Sequence, residues 1–154
     1  STAFNGGEGI WYNDGSVYFT TKGDNRVWQL DTNLNHLQRV YDAATSDNPI
    51  LTGVDNITVA SGGELLVAED GGDMQIVVID SDGNLVFEVE YNDSGAWPGR
   101  VDGNGSSLVA VDPSLDLNNS RNWNSSNAYN GSPGTVITAL PSVVINGLAL
   151  NPGN

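Results

Sequence analysis

The sequence predicts an all-β protein whose first half is two four-stranded, propeller-like blades. Three observations predict it. Short apolar runs alternate with polar residues at the period of a strand. Nineteen glycines and 6 prolines punctuate a chain of 154 residues that is only 38% hydrophobic, which suits short strands and tight turns. The pattern also repeats, with an offset of 47 to 49 residues. A period in that range, with four short strands per unit, marks propeller blades.

In the first blade the predicted strands are Ile10-Trp11-Tyr12, Val17 to Thr20, Val27 to Asp31 and Leu37 to Tyr41. An Asn13-Asp14-Gly15 turn and a Lys22-Gly23-Asp24-Asn25 loop separate the first three. The second blade repeats this with Ile57-Thr58-Val59, Leu65 to Ala68, Ile76 to Asp80 and Leu85 to Val89, around a Gly62-Gly63 turn and an Asp70-Gly71-Gly72-Asp73 loop. The two-residue turns fit antiparallel hairpins. The best helical candidate is a single turn around Asp42 to Ser46. In blades, Trp11, Tyr12, Tyr18 and Trp28 are expected mostly in the core.

After Tyr91 the chain becomes dense in Asn, Ser, Gly, Asp and Pro, with isolated anchors such as Trp97 and Trp123, and one strand is predicted over Ser107 to Val111. Apolar β-type sequence returns at Thr135 to Leu140 and Ser142 to Leu150. The composition therefore predicts two modules: blades over 1–87, and a second β segment over 88–154 with a C-terminal strand at 142–150. Two blades alone leave sheet edges and faces open, which predicts self-association or completion by other chains.

Five Lys and Arg against 19 Asp and Glu give a net charge of −14. That field repels nucleic acid and anionic membrane and attracts cations. No run of residues is apolar enough for a membrane span. Ser1 to Phe4 carry neither a basic nor an apolar leader region, so if the protein is exported this sequence is expected to be the mature form or a fragment of it. Cysteine is absent, which fits an exported or a cytosolic protein; the shortage of Lys and the abundance of Asn, Ser, Thr and Gly favour an extracellular or periplasmic one.

Glu8, Asp55, Asn56 and Glu69 stand out. In the blade register Glu8 and Asp55 each precede a first strand, and Glu69 ends the next one. First strands converge on a propeller axis, and carboxylates gathered there are costly unless a cation joins them. Calcium takes six to eight oxygen ligands, carboxylates and amide carbonyls among them. The alternative is that these acids occupy solvent-exposed turns. Asp80-Ser81-Asp82-Gly83-Asn84 begins like a calcium loop, but Tyr91 stands where its closing Glu belongs, so a hairpin turn is predicted. His36, the only histidine, lies in a turn without a partner motif.

Four stretches carry a resemblance: Phe4 to Tyr12 with its Glu8-Gly9 pair, Val17 to Trp28, Leu51 to Thr58 with Asp55-Asn56, and Leu66 to Met74 with Glu69-Asp70-Gly71. Together, over residues 4–86, they resemble the PhoX-type alkaline phosphatases. The resemblance implies a secreted propeller that binds iron and calcium and hydrolyses phosphate monoesters, with Glu8, Asp55, Asn56 and then Glu69 at the metal site. That family's iron site uses a cysteine, which this chain lacks, and its further blades are missing, so calcium is the expected ion and no activity is expected of the single chain. The alternatives are a structural or adhesive extracellular module that self-assembles by strand addition, or a phosphatase assembled from several chains. Phe87 to Tyr91, Trp97-Pro98, Asp102 to Leu108, Val111 to Pro113, Asn122-Trp123 and Gly131 to Gly134 look like the second half of lamin-tail-type β-sandwiches. Val143 to Asn146 is similar to their first strand, which implies a small, irregular, sandwich-like segment able to exchange that strand with a neighbour.

Overall fold

The computed structural model describes residues 2–70 and 74–131. The first sheet is a meander of β1 (Gly7–Asn13), β2 (Ser16–Thr21), β3 (Arg26–Asp31) and β4 (His36–Asp42), hydrogen-bonded in that order. The second repeats it with β5 (Val54–Val59), β6 (Leu65–Glu69), β7 (Gln75–Ile79) and β8 (Leu85–Glu90). All neighbours are antiparallel. Every predicted blade strand is present. The helical turn expected at Asp42 is instead a hydrogen-bonded turn, in which the Thr45 amide donates to the Asp42 carbonyl at 3.1 Å.

Turn chemistry closes the hairpins. Asp14 and Gly15 have φ of 44° and 82°, the backbone that a two-residue hairpin needs, and Asn13 pairs with Ser16 across them. Asp80 caps its own turn: Oδ1 accepts from the amides of Asp82 and Asn84 at 2.9 and 2.8 Å. The predicted hairpin there is what forms.

The two sheets stack face to face, with β1 and β2 against β5. The core between them holds Val27 and Tyr41 from the first sheet, Ile57, Leu65, Val67, Val77 and Ile79 from the second, and Leu51 from the connection. Strand alternation supplies this: in β6, Leu65, Val67 and Glu69 are buried and Leu66 and Ala68 are not. Side chains stitch the sheets together as well. Asn25, with φ of 49°, donates from Nδ2 to the Thr52 carbonyl at 3.0 Å, and the Val54 amide donates to its Oδ1 at 3.3 Å. The Tyr41 hydroxyl accepts from the amides of Ile50 and Leu51. Gly83, with φ of 82°, lies so close to the Val40 carbonyl that a Cβ would sit 2.2 Å from its oxygen.

Asp42 anchors the end of β4. Its buried carboxylate accepts from Arg26 Nε at 3.0 Å, from Arg39 and from the Ala44 amide at 3.1 Å. Burial raises its pKa, but these bonds and the two guanidinium charges outweigh that and leave it below its ordinary 3.8. A carboxylate with a depressed folded pKa stabilises the fold above its unfolded pKa, and that contribution is lost as pH falls through the folded value. Asp42→Asn is therefore expected to lower stability by about 2 kcal/mol at neutral pH. In urea unfolding series, the gap between wild type and variant closes as pH falls below 3.8; a gap independent of pH would rule out the charge as its source.

Beyond the blades, β9 (Leu108–Ala110) and β10 (Trp123–Ser125) form a two-stranded antiparallel ribbon. The strand predicted over Ser107 to Val111 is this shorter β9. Trp97 and Trp123 pack at 6.1 Å between ring centroids. The segment returns to the second sheet through the Glu90 amide, which donates to Asn118 Oδ1 at 2.8 Å. The predicted C-terminal strand at 142–150 lies outside the described residues.

Candidate functional site

Both first strands carry a β-bulge at the predicted motifs. In β1 the pairing jumps from Gly7↔Thr21 to Ile10↔Phe19, leaving Glu8 and Gly9 in the bulge. In β5 it jumps from Val54↔Glu69 to Ile57↔Val67, leaving Asp55 and Asn56. The motifs Glu8-Gly9 and Asp55-Asn56 are thus one structural device used twice. A bulge bends its strand and re-aims side chains.

Gly9 holds the bulges together. A Cβ there would lie 2.6 Å from both Asn56 Cα and Ile57 N, so only glycine permits this approach of β1 to β5. The buried Thr20 hydroxyl joins them further: it accepts from the Gly9 amide at 2.9 Å and donates to the Asp55 carbonyl.

At this end of the sheets, charges from both blades gather on Lys22. Its ammonium pairs with Asp70, and that hydrogen bond, with the charges of Asp70, Asp55 and Glu8, raises its pKa. Asp70 is lowered in turn, chiefly by the same bond, and the Asp55 side chain also bears on it. Lys22 and Asp70 occupy equivalent positions, each following the last residue of a second strand. Glu8 and Asn56 are exposed and Asp55 is half-buried.

Glu69 does not join this group. Its side chain turns into the protein, where the residue is 2% exposed. Oε1 accepts from the amides of Thr52 and Gly53 at 2.5 and 2.9 Å, and Oε2 accepts from Gln75 Nε2 at 2.5 Å. It ties the inter-blade connection to the second sheet. The period that puts Leu65 and Val67 in the core also puts Glu69 there, a signal available from sequence. Lys22, which the sequence reading placed in an ordinary loop, is the residue it missed.

Among the described residues, no group of three or more His, Cys, Asp and Glu is arranged to hold an ion. Glu8, Asp55, Asp70 and the Asn56 carbonyl are hard oxygen donors of the kind calcium takes, but Asp70 already pairs with the Lys22 ammonium and Asn56 Oδ1 accepts from the Ile57 amide at 3.1 Å. Asp73, in the same acidic stretch, lies outside the described residues. Of the four aromatics expected in the core, Trp28 is buried and Tyr18 half-buried, whereas Trp11 and Tyr12 are 46% and 64% exposed. His36 is exposed at the start of β4.

The sequence matches no family model and no curated protein. Solved structures similar to it include two lyases. One is a streptogramin B lyase, at 22% identity and a TM-score of 0.46, covering 71% of this chain and 32% of the lyase. The other is virginiamycin B lyase from Staphylococcus aureus, at 20% identity and 0.44, covering 69% and 31%. This chain spans about a third of the length of either. At these TM-scores neither likeness bears on the chemistry of this chain, and its all-β, blade-like architecture rests on the two four-stranded sheets themselves.

Proposed function

We propose that this chain is a propeller-type blade pair of an exported protein that binds calcium at the paired bulges of β1 and β5. In this reading it is related to the metal-dependent phosphatases and has no turnover of its own. The observation that carries it is the pairing of the two bulges, held against each other by Gly9 and the Thr20 bridge, beside the contact of Asp70 from the second sheet with Lys22 from the first. An arrangement that holds one cation is suited to exchange it for another. Calcium would take the carboxylates of Glu8, Asp55 and Asp70 with the carbonyl of Asn56, and the Lys22 side chain, 36% exposed, would swing into solvent. Iron finds no cysteine here.

Calorimetric titration with calcium tests this. Lys22→Met is expected to bind calcium more tightly than wild type, because it removes a competing positive charge. Glu8→Gln/Asp55→Asn is expected to lose the heat signal. Calcium should also raise the unfolding temperature of the wild type but not of the double variant. Identical titrations for wild type and double variant would remove the metal reading.

A second reading is a structural or adhesive extracellular module with no metal. Two observations favour it: Lys22 already pairs with Asp70, and both oxygens of Glu69 are committed to hydrogen bonds. No calcium heat from wild type or Lys22→Met would select it.

A further inference from the structure

The interface between the two sheets joins unlike faces of equivalent units. By register, Ile57, Val67 and Val77 of the second sheet correspond to Ile10, Phe19 and Trp28 of the first. The first three are buried against the first sheet. Their counterparts lie on the first sheet's outward face. The same register equates Tyr18, Thr20 and Val27, which the first sheet turns inward, with Leu66, Ala68 and Ile76, which the second turns outward. The molecule therefore exposes on its two outer sides the two halves of the interface it buries in its middle.

Each outer side is covered in part. Phe4 stands edge-on against Phe19 and Trp28 at 5.2 and 5.3 Å, shielding β2 and β3. On the other side, Val101, Leu108 and Trp123 stand across a cleft of about 410 Å3 from Ile76 and Val89. Among the described residues, what stays bare is the first-strand half of both. Ile10 and Tyr12 are 68% and 64% exposed. A groove of about 310 Å3, lined by Trp11, Thr58, Leu66, Ala68 and Ile76, lies open on the opposite side.

We propose that these two bare surfaces bind each other between copies of this chain. Ile10 and Tyr12 of one copy seat in the Leu66–Ala68 groove of the next, as Ile57 and Val59 seat against Tyr18 and Val27 within one copy. The contact is heterologous, so a bound pair keeps one free donor face and one free acceptor face, and association continues to a ring or a chain. The net charge of −14 opposes this, so salt strengthens it. The inference does not depend on calcium.

Sedimentation velocity of the 154-residue chain tests it, from about 5 to about 500 µM, a range suited to a small interface. The weight-average mass is expected to at least double across the range, and to do so at lower concentration in high salt. Ile10→Lys blocks one face and Ala68→Lys the other; each alone is expected to stay monomeric. Mixed in equal amounts, the two variants retain one working face each and should give a one-to-one complex that grows no further. Circular dichroism spectra matching wild type establish that both are folded. The proposal is overturned by a wild type that stays monomeric throughout, by growth of either single variant, or by a mixture that forms no complex.

Discussion

Gly9→Ala is expected to destabilise the protein by about 3–5 kcal/mol, a large share of the stability of an ordinary domain. The added methyl would meet Asn56 Cα and Ile57 N at 2.6 Å, and these are backbone atoms that cannot rotate away. Relief requires β1 to separate from β5, which also breaks the Thr20 bridge between the Gly9 amide and the Asp55 carbonyl. The control is Gly7→Ala, two residues earlier in the same strand, where a Cβ has no neighbour within 4 Å. That variant is expected within about 0.5 kcal/mol of wild type. Urea unfolding of both, followed by tryptophan fluorescence, reads the difference. Equal midpoints for the two variants would show that β1 and β5 do not approach as described.

Glu69→Ala is the second large effect, with an expected loss of about 3–5 kcal/mol. Truncation leaves the Thr52 and Gly53 amides and Gln75 Nε2 without their acceptor and opens a void beside Leu51 and Val67. Glu69→Gln should cost about 1 kcal/mol, because its amide oxygen still accepts from the two backbone amides and Gln75 can reverse its own amide. The order Ala far below Gln, with Gln near wild type, is what a structural carboxylate gives. An alanine variant as stable as wild type would mean that this carboxylate does not hold the connection.

The strands were legible because each blade is a meander of sequence neighbours. Alternation and the Asp14-Gly15 and Gly62-Gly63 turns sufficed to place them. The importance of Glu8-Gly9 and Asp55-Asn56 was also legible, but its physical basis was not. A bulge is a property of register between two strands, and register becomes visible only once Gly7 is paired with Thr21 and Val54 with Glu69. Glu69 turns inward because it continues the Leu65–Val67–Glu69 alternation, which its charge alone does not reveal. The role of Lys22 was hidden because its partner Asp70 is 48 residues away and belongs to the other sheet. Over residues 91–131, three-residue strands and tryptophan pairs leave too short a period for pattern reading.

The Gly9–Thr20–Asp55 bridge also bears on how the chain comes together in time. Hairpins within each meander close short loops, so either sheet can form from local sequence on a microsecond scale. The bridge, by contrast, joins residues 35 apart, from Thr20 to Asp55. It can close only when both sheets have formed and the connection after Asp42 has been drawn in. Loop-closure entropy therefore falls on the docking of two preformed units, which sets the barrier there. Crowding many copies during synthesis would then offer each nascent blade two equivalent surfaces, its own and a neighbour's.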